Sequence, residues 1–327
     1  MKSEKKPTHQ PPRMGLATRE AYGQALAECA EVYPQLVVLD ADLSKSTMTA
    51  AFKKVAPERF INVGIAEANM ACMAGGLAAS GKTVVFSTFA MFAAGRAYEQ
   101  ILNTIAGSGL NVKIAATHAG LTVGEDGMSH QMLTDIGLMR SIPGLRVFVP
   151  ADGAEAKAML KTALDTPGPV YLRLGRSATP VIFPEETEFI PGKIQVLRPG
   201  QKVTIAACGM MVAVALEAAD ALEAAGISCR VLNVSTIKPL DEQTLIQAAK
   251  DTGCLVTAEE HSVLGGLGGA VAEALADSWP VPVLRMGVQD QFGQSGKPAE
   301  LLRHYGLDST HLVDLACKAI AMKSEER

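Results

Sequence analysis

Glu67 stands in Asn62-Val63-Gly64-Ile65-Ala66-Glu67-Ala68-Asn69-Met70, a carboxylate among apolar neighbours where a short strand gives way to a helix. Burial disfavours the charged form of a carboxyl group, and a carboxyl held in that way can share a proton with a basic ring nitrogen. The helix dipole alone also favours glutamate in a first turn, so this stretch by itself leaves a structural role open. A second polar concentration is His118-Ala119-Gly120-Leu121-Thr122-Val123-Gly124-Glu125-Asp126-Gly127-Met128-Ser129-His130-Gln131. Its histidines can donate to a phosphate or hydroxyl or shuttle a proton near neutral pH, and its glycines let backbone approach a ligand. A solvated loop whose glycines merely serve turns would have the same composition. Phe89 and Phe92, two of nine phenylalanines, have the spacing that shares one helical face, where they either pack in a core or stack on a flat heteroaromatic ring. Gly265-Gly266-Leu267-Gly268-Gly269 precedes a helix but lacks the Lys-Ser/Thr of a phosphate loop, and reads as a tight strand-to-helix turn.

Short, wholly apolar runs alternating with helical stretches predict an α/β protein of two domains, each a mainly parallel sheet covered by helices. In the first, strands over 36–39, 60–63, 83–86, 112–116, 146–149 and 170–173 alternate with helices. Those helices are predicted over 19–32 (capped by Thr18), 48–55, 67–80, 91–106, 134–139 and 154–163. Residues 117–131 have no clear period, and long loops at the carboxyl ends of parallel strands are where such sheets bind ligands. Pro180, Pro184, Pro191 and Pro199 punctuate the next stretch. The second unit is predicted to hold strands over 203–207, 228–234, 254–258 and 281–286, with helices over 211–225, 242–250, 269–276, 299–305 and 310–321. The expected division is a flexible tail at 1–13, a domain at 14–176, a linker at 177–199 and a second domain at 200–327.

Composition narrows the partners. The chain of 327 residues is 48% apolar and 20% charged, which suits buried cores. Its net charge of -4, without a basic run beyond the first few residues, offers nucleic acid and anionic membrane no footprint. No window approaches 18 uninterrupted apolar residues, so no membrane helix is expected, and Met1 to Met14 lack the apolar region of a secretory signal. Cys29, Cys72, Cys208, Cys229, Cys254 and Cys317 are scattered without metal-ligand spacing, as expected of reduced core thiols in a cytoplasmic protein with no metal ligands of its own.

Taken together these stretches resemble the C-terminal half of the transketolase family, from about Arg13 to the last helix. Gly64-Ile65-Ala66-Glu67-Ala68-Asn69-Met70, Ser87-Thr88-Phe89 with Phe92, and Gly124-Glu125-Asp126-Gly127-Met128-Ser129-His130-Gln131 carry the resemblance. Leu39-Asp40-Ala41-Asp42-Leu43, Glu259-Glu260-His261 and Ser295-Gly296-Lys297-Pro298-Ala299-Glu300-Leu301-Leu302 are lesser matches.

The resemblance implies the pyrimidine-binding domain of thiamine diphosphate enzymes followed by the transketolase C-terminal domain. It implies that Glu67 activates the cofactor by hydrogen bonding to N1′ of its aminopyrimidine, with Phe89, Phe92 and Asp42 among the cofactor contacts. A third aromatic of some members falls at Gly95, a gap that Tyr98 could fill. Arg19, Ser46, His118 and Arg176 match the family's contacts to the sugar phosphate, Asp126 the acid that reads an aldose hydroxyl, and His130 a catalytic histidine that is glutamine in some relatives. His118 is counted with Glu67 and His130 among the catalytic groups. The implied reaction is transfer of a two-carbon ketol unit from a ketose phosphate to an aldose phosphate, by default the pentose and hexose phosphates of the pentose phosphate pathway. The family's Gly-Asp-Gly motif for the cofactor's diphosphate and Mg²⁺ (or Ca²⁺) is missing here. The resemblance therefore implies a separate N-terminal subunit that supplies it, in an α2β2 heterotetramer. A 1-deoxyxylulose-5-phosphate synthase, a 2-oxo acid dehydrogenase E1 β subunit and a non-catalytic regulatory subunit are the competing readings.

Overall fold

The computed structural model describes residues 13–325, so the expected tail lies, up to residue 12, outside the described residues. The chain builds the two predicted mainly parallel sheets, and adds edge strands that periodicity does not reveal. In chain order the strands of the whole fold are β1 (Met14–Ala17), β2 (Leu36–Asp40), β3 (Phe60–Asn62), β4 (Thr83–Phe89), β5 (Val112–Thr117), β6 (Arg146–Phe148) and β7 (Val170–Arg173). They continue with β8 (Ala178–Pro180), β9 (Gln195–Arg198), β10 (Val203–Ala207), β11 (Cys229–Asn233), β12 (Thr236–Lys238), β13 (Leu255–Ser262) and β14 (Val283–Val288).

The first sheet has seven strands in the order β12-β6-β7-β5-β4-β2-β3, all parallel except β12. Register brings Asp40 level with Asn62 and Ser87, and Phe89 level with Thr117, so the candidate functional stretches emerge at one edge. Helices on both faces bury the apolar strands, and the fully buried Phe86 and Phe148 each contribute about 2 kcal/mol. The second sheet is β14-β13-β10-β11-β9, parallel except for β9.

Several local expectations are corrected. Thr18 does not cap the first helix, which begins at Thr18 itself; Glu20 reaches back to the Ala17 amide at 3.1 Å, and the Thr18 hydroxyl accepts from the Gly175 amide at 2.7 Å. Pairing of β1 with β8 fixes the chain ahead of that helix and moves its start. The stretch 177–199 supplies β8 and β9, whose partners are distant in sequence. The helix expected over 91–106 is interrupted by wide π turns, with the Ala97 amide reaching the Phe92 carbonyl and Gly107 that of Leu102. Helix 48–55 narrows to Ala50–Val55, because Met48 takes a left-handed φ of 69°. Of the cysteines, all free, Cys72 and Cys317 are exposed on helices rather than in a core.

β12 belongs to the second half of the sequence yet pairs antiparallel with β6, so the two halves share a sheet. Beside it Glu155 is buried, accepting from the Ala151 amide at 2.7 Å and from Asn233 Nδ2 at 2.8 Å. Burial is the main cause that raises its carboxyl from the ordinary 4.5 to about 7. A carboxyl raised on folding contributes stability that is fully present below pH 4.5 and lost as pH rises to about 7. We expect Glu155→Gln to remove a pH-dependent stability difference on the order of 3 kcal/mol between pH 4.5 and 7. Urea unfolding of both proteins at pH 5 and pH 8 checks this; an unchanged wild-type-minus-variant difference would contradict it.

Candidate active site

The strand order reverses between β2 and β4, and that reversal opens a crevice at their carboxyl ends. Gly64, at φ 75°, turns the chain off β3, and the helix Glu67–Ala79 then begins with Glu67. Its side chain is 4% exposed and faces a polar partner rather than apolar neighbours alone. Arg96 Nη1 lies 3.3 and 3.4 Å from the two carboxylate oxygens. The same guanidinium sits over the Phe92 ring, 4.2 Å from its centroid.

Phe89 closes β4, and its ring stacks on Phe92 with centroids 5.7 Å apart and planes 14° from parallel. His118 stacks on Phe89 at 3.8 Å, while His130 turns its edge toward Phe89 and Phe92 at 6.1 and 5.5 Å. Glu67, both phenylalanines and both histidines are thereby joined through one chain of contacts. His118 holds a φ of 57°, an uncommon conformation for a residue with a Cβ, fixed by its stack and by a 3.0 Å hydrogen bond between Nδ1 and the Thr117 hydroxyl. Burial, then Arg19, Arg176 and His130, push its pKa down to about 3, so the ring is neutral at neutral pH. Tyr98 does not fill the gap at Gly95: its hydroxyl meets Ser141 at 3.3 Å, and Arg96 covers Phe92 instead.

The residues matched to a sugar phosphate converge on one side of this wall. Arg19 donates to the Ser46 carbonyl at 2.8 Å, and its buried Nε has no protein partner. Burial and the nearby Arg176 lower the pKa of Arg19, with Glu20 opposing them. Arg176 donates to the Val123 carbonyl and lies 3.4 Å from Glu125 and 4.0 Å from Asp126. Two guanidinium groups near a neutral histidine, one with an orphaned donor, make a surface suited to an anion. Asp42 stays apart, exposed at φ 64° and paired with Asn62 at 2.9 Å.

Sequence reasoning missed the supports of this site. Asp40 is fully buried and accepts from the Leu43 amide at 2.6 Å and from the Thr47 and Thr49 hydroxyls at 2.6 and 2.8 Å, which shapes the turn that presents Ser46. From the second domain, Glu260 accepts from the Thr122 amide at 2.6 Å and lies so close to Gly120 that a Cβ there would sit 2.4 Å from its carboxyl carbon. Gln131 donates to the Leu121 and Gln294 carbonyls at 3.1 and 3.0 Å, tying the histidine loop to the strand end beyond β14. Arg96 did carry a signal, since it follows Phe92 at the spacing of one helical turn. The glycine-rich loop is the expected tight turn: Glu259 itself accepts from the Leu267 and Gly268 amides at 2.7 and 2.8 Å and occupies the helix N-terminus. Among the described residues no group of His, Cys, Asp and Glu could hold a metal ion, and no helix is long and apolar enough to cross a membrane.

Residues 14–181 match the family model of the transketolase pyrimidine-binding domain, and residues 192–312 that of the transketolase C-terminal domain. The chain belongs to the transketolase family. It is 51% identical to a protein of Methanocaldococcus jannaschii named "Putative transketolase C-terminal section", over 89% of this chain and 92% of that one. It is 42% identical to a 6-deoxy-6-sulfo-D-fructose transketolase subunit of a Clostridium species, over 94% and 95% of the two chains. Against human transketolase the identity is 38% over 90% of this chain, but only 47% of the human protein is spanned. Among solved structures it is similar to a split gene transketolase described as an inactive beta4 tetramer, with a TM-score of 0.87 and 52% identity over 94% of this chain and 99% of that one.

Proposed function

We propose that the chain is the C-terminal subunit of a split transketolase, moving a two-carbon ketol unit from a ketose phosphate to an aldose phosphate with thiamine diphosphate. The observation that carries the reading is the buried Glu67 carboxylate beside the Phe89–Phe92 stack, with a planar N–H donor already resting on both. A flat, amino-substituted ring with a basic nitrogen fits that donor set. When bound, thiamine diphosphate supplies a thiazolium carbon that can take up and release the two-carbon unit. Glu67 would hold a proton at N1′ of the aminopyrimidine, Phe89 and Phe92 would orient the ring, and His130 would face the reacting oxygens. Arg19, Ser46, His118 and Arg176 would hold the substrate's phosphate, and Asp126 would accept from an acceptor hydroxyl. Asp42 would join the cofactor contacts only through its loop.

The rest of the cofactor site belongs to a partner. The match spans 92% of a relative named a transketolase C-terminal section and 95% of one named a transketolase subunit, and the sequence holds no Gly-Asp-Gly, which supports an N-terminal subunit that binds diphosphate and Mg²⁺ (or Ca²⁺) within an α2β2 assembly. The relative described as an inactive beta4 tetramer is consistent with a chain that needs that subunit. Calorimetric titration of thiamine diphosphate with Mg²⁺ into each chain alone and into their mixture tests the assembly. Saturable binding is expected in the mixture only; equal binding by this chain alone would overturn the split reading.

A further inference from the structure

Arg96 touches the two groups that the proposed function gives to the pyrimidine ring, Glu67 and Phe92, and touches them in the way that ring would. Its Nη1 lies 3.3 and 3.4 Å from the Glu67 oxygens, and its guanidinium carbon is 4.2 Å from the Phe92 centroid. A guanidinium is a flat cation of N–H donors around one carbon, the same N–C–N pattern as a protonated aminopyrimidine edge. Such a group stacks on an aromatic face and forks onto a carboxylate. We infer that Arg96 is a built-in occupant of the pyrimidine site, whose guanidinium stands in for the ring until the cofactor displaces it.

Three features of the structure fit a displaceable occupant rather than a fixed wall. Glu67 is buried, and an unpaired carboxylate there would be costly, so the free chain gains from a partner. Arg96 itself is 55% exposed, which leaves its side chain a path into solvent. It also sits in the wide turn closed by the Ala97 amide and the Phe92 carbonyl, next to Gly95, where the nearest neighbour of an added Cβ would be Met91 Sδ at 4.0 Å. The space beside the Gly95 backbone is therefore open.

The inference rests on the assignment of Glu67 to the cofactor, and the test separates the two. A half-exposed ion pair is weak, so the occupied state raises the apparent Kd of the cofactor only about six-fold, equivalent to about 1 kcal/mol. The experiment titrates thiamine diphosphate at fixed Mg²⁺ into the two-chain complex and follows near-ultraviolet circular dichroism. It compares wild type, Arg96→Met, Glu67→Gln and the double variant, with thermal melts to confirm folding. Arg96→Met should bind about six-fold more tightly, and Arg96→Lys, a non-planar cation, should fall between it and wild type. In the Glu67→Gln background the Arg96 change should give no gain. Unchanged or weaker binding by a folded Arg96→Met complex, with Glu67→Gln impaired, would overturn the inference and leave the assignment of Glu67 intact. Wild-type affinity in Glu67→Gln would overturn both.

Discussion

Glu67→Gln is expected to leave the two-chain complex folded and able to bind sugar phosphate, while kcat for two-carbon transfer falls about 10³-fold. Glutamine keeps the volume and one acceptor oxygen of a side chain that is only 4% exposed, so packing changes little. What it loses is the ability to exchange a proton with a ring nitrogen, the single function the proposed mechanism asks of Glu67. Arg96 also loses its charged partner, and at 55% exposure it can turn to solvent, so the variant should not collapse. Steady-state transfer kinetics with a thermal melt check this. A decrease smaller than ten-fold in a folded complex would mean that the carboxylate serves the helix start rather than the reaction.

Arg176→Met has the second largest expected effect, and its size depends on the substrate. Arg176 is close enough to Arg19 to add to the burial that lowers the Arg19 pKa, and the Arg19 Nε is buried without a partner. A dianionic phosphate would relieve that crowding and satisfy the orphaned donor. His118 adds a neutral ring: with Nδ1 engaged by the Thr117 hydroxyl, Nε2 is the nitrogen left for a ligand. Arg176 also offsets Glu125 at 3.4 Å and Asp126 at 4.0 Å, so its loss leaves uncompensated carboxylates near the incoming anion. We expect kcat/KM for phosphorylated sugars to fall about 30-fold, corresponding to about 2 kcal/mol. The unphosphorylated counterparts should change less than two-fold or so. An equal loss with both substrate types would place Arg176 in the loop's structure and not in phosphate recognition.

The alternation of apolar runs made the parallel sheets readable, because a strand buried on both faces must be apolar along its length, as Leu36–Asp40 is apart from its last residue. The candidate site residues came from the family resemblance, and in the structure Phe89, Phe92, His118 and His130 touch one another while Glu67 is linked to Phe92 through Arg96. What sequence patterns did not reveal depends on distant partners. β12 lies among residues of the second domain and pairs with β6, and Thr18 looks like a cap until β1 pairs with β8. Asp40 and Glu260 were visible as acids in lesser matches, but their work is to hold turns from below or from another domain, and no spacing rule predicts that. Arg96 differs from these. Its spacing from Phe92 was available, but the expectation of an apolar setting for Glu67 hid its meaning.

The most direct test of the proposed function is formation of sedoheptulose 7-phosphate from xylulose 5-phosphate and ribose 5-phosphate by this chain mixed with the proposed N-terminal subunit, thiamine diphosphate and Mg²⁺. Turnover that requires both chains and the cofactor is the expected result. An assembled, cofactor-loaded pair that transfers no two-carbon unit between sugar phosphates would contradict it.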